Sequence, residues 1–474
     1  MDMIEINNTF INGGFVEKNN RSKFELINPA TEKQYGQLLC SSEDELEHAI
    51  NCACEAEIIC SNLSIEDKKN ILSQILDGIS SRREELGEAI SLEMGAPITL
   101  AKNAHIQMGI DHLTNTLNVL NHYKFETKED GFKIFKSPIG VVALITPWNW
   151  PLNQTLTKIA SAIAAGCSII IKPSEFCALS SRILAEIISE SDLPDGAFNM
   201  VNGIGSNLGP IISQHKKIDM ISFTGSTEVG ISIQTLAAKT VKRVSLELGG
   251  KSAHIICDDV ELLDAIPKAI NQCFINSGQS CSAPTRLLIP KDKLNEVKKI
   301  AISHTKNIKT GNPLNENTNL GPVINSKQYK NIQSHIQSGI EDSLELIIGG
   351  IGRPDEHEKG YYVKPTIFLD VPNNHSLAQE EIFGPVLTVI TYKDLDEAID
   401  IANDSKYGLS SYISSNNEKT AYEIAKRIKA GQTIINKPSR GSVPAPFGGF
   451  KMSGNGREHG IYGLEDYLEV KAII

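Results

Sequence analysis

A cysteine in a short polar loop is the strongest candidate for covalent chemistry in this sequence. Cys281 lies in the segment Asn-Ser-Gly-Gln-Ser-Cys-Ser-Ala-Pro of residues 276–284. Small polar neighbours and a glycine leave a thiol accessible and favour its nucleophilic thiolate. Most isolated cysteines are instead buried and inert, as we expect for Cys273 on the preceding helical stretch. The segment contains no histidine, which weakens a Cys/His protease interpretation but leaves distant histidines open.

Two further polar side chains could assist such a nucleophile. Glu247 begins the segment Glu-Leu-Gly-Gly-Lys at the end of a predicted strand, where a carboxylate could act as a general base. Asn149 lies in Thr-Pro-Trp-Asn-Trp-Pro, where its amide could donate to a developing oxyanion. Each has a purely structural alternative, a surface glutamate in one case and a turn or helix-capping asparagine in the other.

Two other segments are typical of nucleotide binding. Lys172 and Glu175 follow a predicted buried strand, where an acid can bond to ribose hydroxyls. Residues 223–230 (Phe-Thr-Gly-Ser-Thr-Glu-Val-Gly) lead from a strand through a glycine into a helix, whose free N–H groups suit a phosphate. The alternatives are a solvated ion pair and a tight turn capped by Ser226 or Thr227.

An alternation of strand and helix patterns would bring these segments together. Strands are predicted at 139–145, 167–171, 198–201, 218–223 and 241–248, separated by four helical patterns. This order predicts a parallel, doubly wound α/β sheet, and ligands bind such sheets at the carboxyl ends of their strands. A second α/β series follows, and the alternating tail at 467–474 reads as an edge strand that would need a partner.

Composition narrows the function classes. The 474 residues are enough for two or three domains, and 46 basic against 57 acidic residues give a net charge of −11. This charge argues against general nucleic-acid binding and against anionic membranes. No apolar run is long enough to span a bilayer, and the acidic start does not resemble a signal peptide. Nine irregularly spaced cysteines indicate reduced thiols and hence a cytoplasmic protein, and their spacing predicts no metal site.

Seven motifs in one order resemble the aldehyde dehydrogenase family over essentially the whole chain. They are Pro147-Trp148-Asn149, Lys172-Pro173-Ser174-Glu175, Phe223–Gly230, Glu247–Lys251, Gly278-Gln279-x-Cys281, Glu381–Pro385 and Pro446–Glu458. The resemblance implies a Rossmann-like cofactor domain, a second α/β catalytic domain and a small β oligomerisation arm. The implied boundaries are 1–117 with 139–248, then 249–450, then 118–138 with 451–474.

The resemblance also implies an activity, the oxidation of an aldehyde to a carboxylic acid with reduction of NAD+. Cys281 would attack the aldehyde, and Asn149 would stabilise the oxyanion. Hydride transfer would leave a thioester, and Glu247 would activate the water that hydrolyses it. Lys158 and Glu458 match positions proposed to relay protons from this base.

Seven residues would hold the cofactor by resemblance. They are Trp148, Lys172, Glu175, Gly225, Ser226, Glu381 and Phe383. The Glu175 carboxylate would repel a 2′-phosphate, so we expect NAD+ to be preferred and NADP+ to be used more weakly.

We expect a homodimer or homotetramer, joined through the arm. A charged cluster of Arg243, Arg457 and Glu469 could support the arm, and surface placement of these residues is the alternative. For the aldehyde, the candidate lining residues are Asn153, Thr157, Ser280, Ser282 and Phe447. This mixed lining fits a small or mildly polar aldehyde, or a short aliphatic one, and offers too few aromatic residues to argue for a quaternary-ammonium cage.

Three other functions remain as alternatives. A CoA-acylating enzyme typically lacks the hydrolytic base, whereas Glu247 is present. A non-catalytic relative should have lost Cys281, Glu247 or Asn149, and all three are present. A cofactor-free thiol hydrolase would leave the nucleotide-binding segments unexplained.

Overall fold

The computed structural model describes residues 4–17, 21–437 and 444–474. Parts of the predicted domains, including residues 438–443 of the Gly-rich tail, therefore lie outside the described residues. Within the described ranges, no helix is both long and apolar enough to cross a membrane.

The described residues form twenty strands. In chain order they are β1 (Ile4–Ile6), β2 (Phe10–Ile11), β3 (Gly14–Phe15), β4 (Lys23–Asn28), β5 (Lys33–Leu39), β6 (Glu126–Glu129), β7 (Phe132–Pro138), β8 (Val141–Thr146), β9 (Ser168–Pro173), β10 (Phe198–Met200), β11 (Met220–Thr224), β12 (Arg243–Glu247), β13 (Ala253–Ile256), β14 (Arg286–Pro290), β15 (Glu345–Ile348), β16 (Thr366–Leu369), β17 (Val386–Tyr392), β18 (Ser410–Ser414), β19 (Gln432–Ile435) and β20 (Leu468–Ile473).

Helices connect most of these strands. In chain order they are α1 (Glu43–Ser61), α2 (Ile65–Ser81), α3 (Arg83–Met94), α4 (Ile98–Leu100), α5 (Gln107–Leu120), α6 (Pro151–Ala165), α7 (Ala178–Ser189), α8 (Gly205–Gln214), α9 (Thr227–Ala237), α10 (Leu262–Phe274), α11 (Leu294–Thr305), α12 (Ser326–Glu341), α13 (Ser376–Gln379), α14 (Leu395–Asn403), α15 (Glu418–Arg427) and α16 (Gly460–Glu465). A π-helical turn, Ala101–Ile106, joins α4 to α5.

The first large sheet is doubly wound, as the strand and helix alternation predicts. Its strand order is β12-β11-β8-β9-β10-β2-β3, and the five strands β8 to β12 are parallel. The order reverses between β8 and β11, which creates the switch point where such sheets bind ligands. Strands β8 and β9 are buried along their whole length, as a sheet covered by helices on both faces requires.

The second large sheet has the order β15-β16-β17-β14-β13-β18-β19. All of its pairings are parallel except that of β15 with β16. A buried apolar cluster that includes Ile332, Phe368 and Val386 packs against this sheet. The chain therefore contains two separate parallel α/β layers, and the loop of Cys281 lies between α10 and β14 of the second.

Two small sheets complete the fold. The tail strand β20 pairs antiparallel with β7, and β7 pairs with β6, so β20 lies at an edge of this sheet. The other small sheet has the order β1-β5-β4 and was not predicted as a separate unit. In the sequence, Ser42 with Glu45 three residues later is a capping-box pattern, and this capping box begins α1.

Two elements differ from the sequence-based expectation. Residues 65–94 carry helical spacing in the sequence. The structure divides them into the two helices α2 and α3, because Arg82 leaves helical geometry and its side chain pairs with Glu85 and Glu186. Strand β15 was not predicted, since its four residues are partly exposed and lie at the sheet edge.

Candidate active site

The loop that carries Cys281 is held in an unusual backbone conformation. Directly before it, Asn276, Ser277 and Gly278 have φ values of 55°, 56° and 73°. Residues that carry a side chain rarely adopt this left-handed backbone conformation, so the surrounding structure must enforce it at Asn276 and Ser277. A Cβ on Gly278 would lie 2.1 Å from the Gly384 carbonyl oxygen, which requires glycine there. Such local strain is typical of functional loops.

Asn149 lies against this loop. Its Nδ2 donates to the Gln279 carbonyl at 3.1 Å, and the Asn276 Nδ2 donates to the Asn149 carbonyl at 2.7 Å. These two bonds fasten the segment after β8 to the cysteine loop. Because an amide nitrogen carries two hydrogens, one remains for another acceptor. The predicted oxyanion donor, Asn149, is thus bonded to the backbone of Gln279, two residues before the nucleophile.

The ionisation expected for Cys281 is not what the structure supports. Burial raises the pKa of its thiol to about 12, and the nearby Glu381 and Glu247 carboxyls raise it as well. The prediction that the small polar loop would keep a thiolate is therefore wrong. Burial of the thiol, reinforced by the Glu381 and Glu247 carboxyl groups, outweighs the local composition.

Glu247 ends β12 with both carboxylate oxygens buried and without hydrogen-bond partners among the described residues. Burial raises its pKa well above the usual glutamate range, and repulsion from Glu458 adds to this effect. A Cβ on Gly448 would lie 2.8 Å from the Glu247 Oε1, so glycine leaves room for the carboxyl group. A carboxylate with no internal partner and a raised pKa is suited to accept a proton.

Lys158 and Glu458 are brought together beside this carboxyl group. They form a buried ion pair, and the Lys158 Nζ also donates to the Ser222 Oγ at 2.9 Å. Lys158 and Glu458 both act electrostatically on Glu247. Residues 300 positions apart could not be paired from local sequence.

The charged cluster predicted for the arm is only partly present. Arg243 bonds to Glu469 at 2.6 Å and to the carbonyls of Asp466 and Leu468, both at 2.8 Å, so it ties β12 to the tail. Arg457 does not join them, because its guanidinium donates to the carbonyls of Gly449 and Gly456. Its inclusion in that cluster is therefore wrong.

A cavity of about 90 Å³ opens beside Cys281. All five residues predicted to line the aldehyde site lie on it. The lining is Met108, His112, Trp150, Asn153, Gln154, Thr157, Gln272, Ile275, Ser280, Cys281, Ser282, Ala283, Tyr412, Gln432, Ile434, Phe447, Glu458 and His459. The sequence alone did not predict the wall contributed by α5 or the region around His459, because no local motif marks either.

Hydrogen bonds and ring stacking make this wall rigid. The Trp150 Nε1 donates to the Ser280 Oγ at 2.6 Å, and the His105 ring stacks on Trp150 with centroids 4.1 Å apart. The His112 Nε2 bonds to the Asn153 Oδ1 at 2.6 Å. His459 has φ 71°, and its ring stacks on Phe447. Helical spacing at residues 111–123 predicts a helix that contains His112, but it does not show which way the imidazole ring faces.

The residues predicted to bind the ribose and the phosphates lie at the carboxyl ends of β9 and β11. The Lys172 Nζ is 3.5 Å from the Glu175 Oε2 and donates to the Pro173 carbonyl at 2.8 Å. Ser226 caps α9 by accepting from the Val229 N–H at 3.4 Å, so the capping alternative is realised. Gly225 precedes this cap, and its N–H donates to the Glu247 carbonyl at 3.1 Å.

The remaining predicted cofactor residues meet between the two large sheets. The Glu381 Oε1 accepts from the Gly250 N–H at 3.0 Å, and burial raises the pKa of Glu381 to about 7. Trp148 and Phe383 pack edge to face with ring centroids 5.5 Å apart. Phe383 has φ 58°, so the turn after Glu381 is also constrained.

Comparison with known proteins gives one consistent family. The family model described as the aldehyde dehydrogenase family matches residues 15–473. A relative from Staphylococcus saprophyticus that carries a provisional aldehyde dehydrogenase name is 44% identical over 464 residues, covering 98% of each chain. Aldehyde dehydrogenase C from Pseudomonas syringae, crystallised as a mutant with NAD+ and octanal, is 43% identical, with a TM-score of 0.97 and coverage of 98% of this chain and 96% of that one. Betaine aldehyde dehydrogenase from Staphylococcus aureus, crystallised with NAD+, is 34% identical, with a TM-score of 0.95 and coverage of 99% and 94%.

Proposed function

Because the chain belongs to the aldehyde dehydrogenase family, we propose that it oxidises an aldehyde to a carboxylic acid with NAD+ as the electron acceptor. The observation that carries this proposal is the arrangement around the Cys281 thiol. The Asn149 amide is fastened to its loop, and the unpartnered Glu247 carboxyl group acts on the thiol electrostatically.

The first half of the reaction is addition to the carbonyl. The Cys281 sulfur loses its proton to a base and forms a bond to the carbonyl carbon, and the carbonyl oxygen takes the negative charge. The second N–H of Asn149 and the backbone N–H of Cys281 would stabilise that oxyanion. A bound NAD+ would supply the hydride acceptor, and the carbon that has lost its hydride would stay bonded to the Cys281 sulfur as a thioester.

The second half is hydrolysis. Glu247 removes a proton from water as the oxygen attacks the thioester carbon, and the Cys281 sulfur departs with the bonding electrons. The products are a carboxylic acid and the Cys281 thiolate, which regains the thiol form when it takes up a proton. The Lys158–Glu458 pair would carry the proton away from Glu247, and its burial beside this carboxyl group supports that role.

Described residues fit an adenine dinucleotide. The hydroxyl oxygen of Thr224 is buried at the end of β11 and has no partner among the described residues, which fits a polar ligand at the N-terminus of α9. The Ser226 hydroxyl can donate to a phosphate while it accepts from Val229. Lys172 and Glu175 would hold the adenosine ribose, and Glu381 the nicotinamide ribose. Trp148 and Phe383 would pack near the nicotinamide. Glu175 would favour NAD+ over NADP+.

We also propose the domain division 1–117 with 139–248, 249–450, and 118–138 with 451–474. The separate sheets support it. The exposed edge strand β20 supports a homodimer or homotetramer. Nine free cysteines support a reducing, cytoplasmic location.

The decisive experiment compares wild type, Cys281→Ser and Cys273→Ser in NADH formation from a panel of aldehydes without CoA. Cys273 is a fully buried thiol on α10 that does not line the cavity, so its variant controls for the loss of a thiol. We expect turnover by wild type and Cys273→Ser and none by Cys281→Ser. If turnover requires added CoA, the acyl group is transferred to CoA and not to water, which would contradict the hydrolytic step. Ester hydrolysis without aldehyde oxidation would contradict the dehydrogenase proposal.

A further inference from the structure

The cavity beside Cys281 offers no unpaired charge to a substrate. Among its described lining residues, Glu458 is the one carboxyl group, and Lys158 neutralises it in a buried ion pair. None of these described lining residues is a lysine or an arginine. Burial lowers the pKa of both His112 and His459, so these rings are neutral. A charged aldehyde would enter without a counter-charge, which carries a large desolvation cost.

The cavity nevertheless presents a hydrogen-bond acceptor of fixed orientation. The Gln272 Nε2 donates to the Lys437 carbonyl at 3.0 Å. A carbonyl oxygen accepts hydrogen bonds only from a donor, so this bond identifies the amide atom that faces Lys437 as the nitrogen and the other as the oxygen. Its Oε1 is buried and has no partner among the described residues.

Gln154 provides a second side-chain amide on the same cavity. It lies on α6, one residue after Asn153, and is 5% exposed. Its Oε1 is also buried without a partner in the described part of the chain. Buried polar groups in native proteins are nearly always hydrogen-bonded, so two unpaired carbonyl oxygens on one small cavity indicate a ligand that supplies donors.

We propose that the aldehyde is uncharged and carries a hydroxyl group on its carbon chain, which donates to the Gln272 Oε1 or the Gln154 Oε1. This inference rests on the proposed function, since it concerns the substrate of the same site. A hydroxyl group matches both observations, because it is a neutral donor. An ammonium group would donate but bring an uncompensated charge, and a carboxylate would bring both a charge and further acceptors.

The test uses matched pairs of aldehydes that differ in one hydroxyl group, glycolaldehyde with acetaldehyde and ω-hydroxyhexanal with hexanal. The two pairs place the hydroxyl group at different distances from the carbonyl carbon. The variants are Gln272→Met and Gln154→Met, which keep side-chain length and remove the acceptor. Met108→Leu is the control, since it changes an apolar lining residue. An aminoaldehyde and succinic semialdehyde test the two signs of charge.

We expect wild type to favour the hydroxylated member of at least one pair by about tenfold in kcat/KM, the effect of one buried hydrogen bond. One of the two methionine variants should bring that ratio close to one, mainly by slowing the hydroxyaldehyde. The control should keep it. A wild-type ratio near one in both pairs, a ratio unchanged in both methionine variants, or faster turnover of either charged aldehyde would overturn the proposal.

A second readout separates this inference from the proposed function. Aldehydes that add to the Cys281 thiol protect it from alkylation by iodoacetamide without any cofactor, and mass spectrometry of the Cys281 peptide measures the protection. We expect the hydroxylated aldehyde to give half-protection at about one tenth of the concentration, and only where the glutamine is intact. Selective protection without NADH formation would contradict the dehydrogenase proposal and support the substrate class. NADH formation without selective protection would support the dehydrogenase proposal and contradict the substrate class.

Discussion

Replacing Glu247 by glutamine should separate the two halves of the proposed reaction. The Glu247 oxygens make no hydrogen bond within the described residues, so the isosteric amide breaks none. What the variant loses is the proton acceptor for the attacking water. Removal of a general base slows its step by about 10²- to 10⁴-fold, which corresponds to about 3–5 kcal/mol of barrier. Hydride transfer precedes that step and should continue.

Rapid-mixing measurement of NADH gives the test. We expect Glu247→Gln to form a burst of about one NADH per active site, followed by slow turnover, with the thioester detectable by mass spectrometry. The wild-type deacylation rate should rise with pH through a pKa above the usual glutamate range, since the base must be ionised. The variant should lack that dependence.

A matched variant controls for the loss of a buried carboxyl group. Glu93 is buried, has a raised pKa and does not line the cavity, so Glu93→Gln should keep wild-type turnover. Slow turnover of Glu247→Gln without a burst would place the defect before hydride transfer. A kcat close to that of wild type would refute the role of Glu247 as base.

Two further predictions concern the cofactor and stability. Glu175→Gln should lower the ratio of kcat/KM for NAD+ to that for NADP+ by about tenfold, because it removes the carboxylate expected to repel a 2′-phosphate; an unchanged ratio would contradict that contact. For Glu93, burial raises the pKa from 4.5 to about 8. The folded chain therefore holds this proton more tightly than the unfolded one, and wild-type stability should fall by an amount on the order of 5 kcal/mol as pH rises from about 4.5 to about 8. Urea unfolding at several pH values should show this component in wild type and not in Glu93→Gln; equal pH profiles would refute the assignment.

The sequence predicted the doubly wound sheet because its periodicity is local. Strands β8 and β9 are continuous apolar runs, and the glycine after α6 marks its end. The predictions failed where structure depends on distant partners. Strand β15 is held by its pairing with β16, and the break at Arg82 coincides with its ion pair to Glu186 on α7.

The same distinction applies to the site. Residues within motifs, such as Asn149 and Glu381, could be proposed by resemblance, because each motif is a short stretch of contiguous sequence. His112 and Gln272 belong to the cavity only through tertiary packing, and nothing in their local sequence shows which cavity they face. The prediction of a thiolate at Cys281 failed for the same reason. The pKa of this thiol is set by its burial and by the carboxyl groups of Glu381 and Glu247, which are distant in the sequence.

That electrostatic environment also explains how a thiol with a raised pKa can serve as a nucleophile. Ionising Cys281 alone would place a third negative charge near Glu247 and Glu381, which the direction of its pKa opposes. Transfer of the proton from Cys281 to Glu247 leaves the net charge unchanged, because one anion forms as another disappears. The raised pKa of Glu247 favours this transfer, and the Lys158–Glu458 pair beside it gives the proton a route onward. The burial that makes the thiol a weak acid therefore makes its neighbouring carboxylate a strong base; the burst expected of Glu247→Gln requires that water can replace Glu247 as acceptor of the thiol proton, so that only hydrolysis depends on this carboxylate.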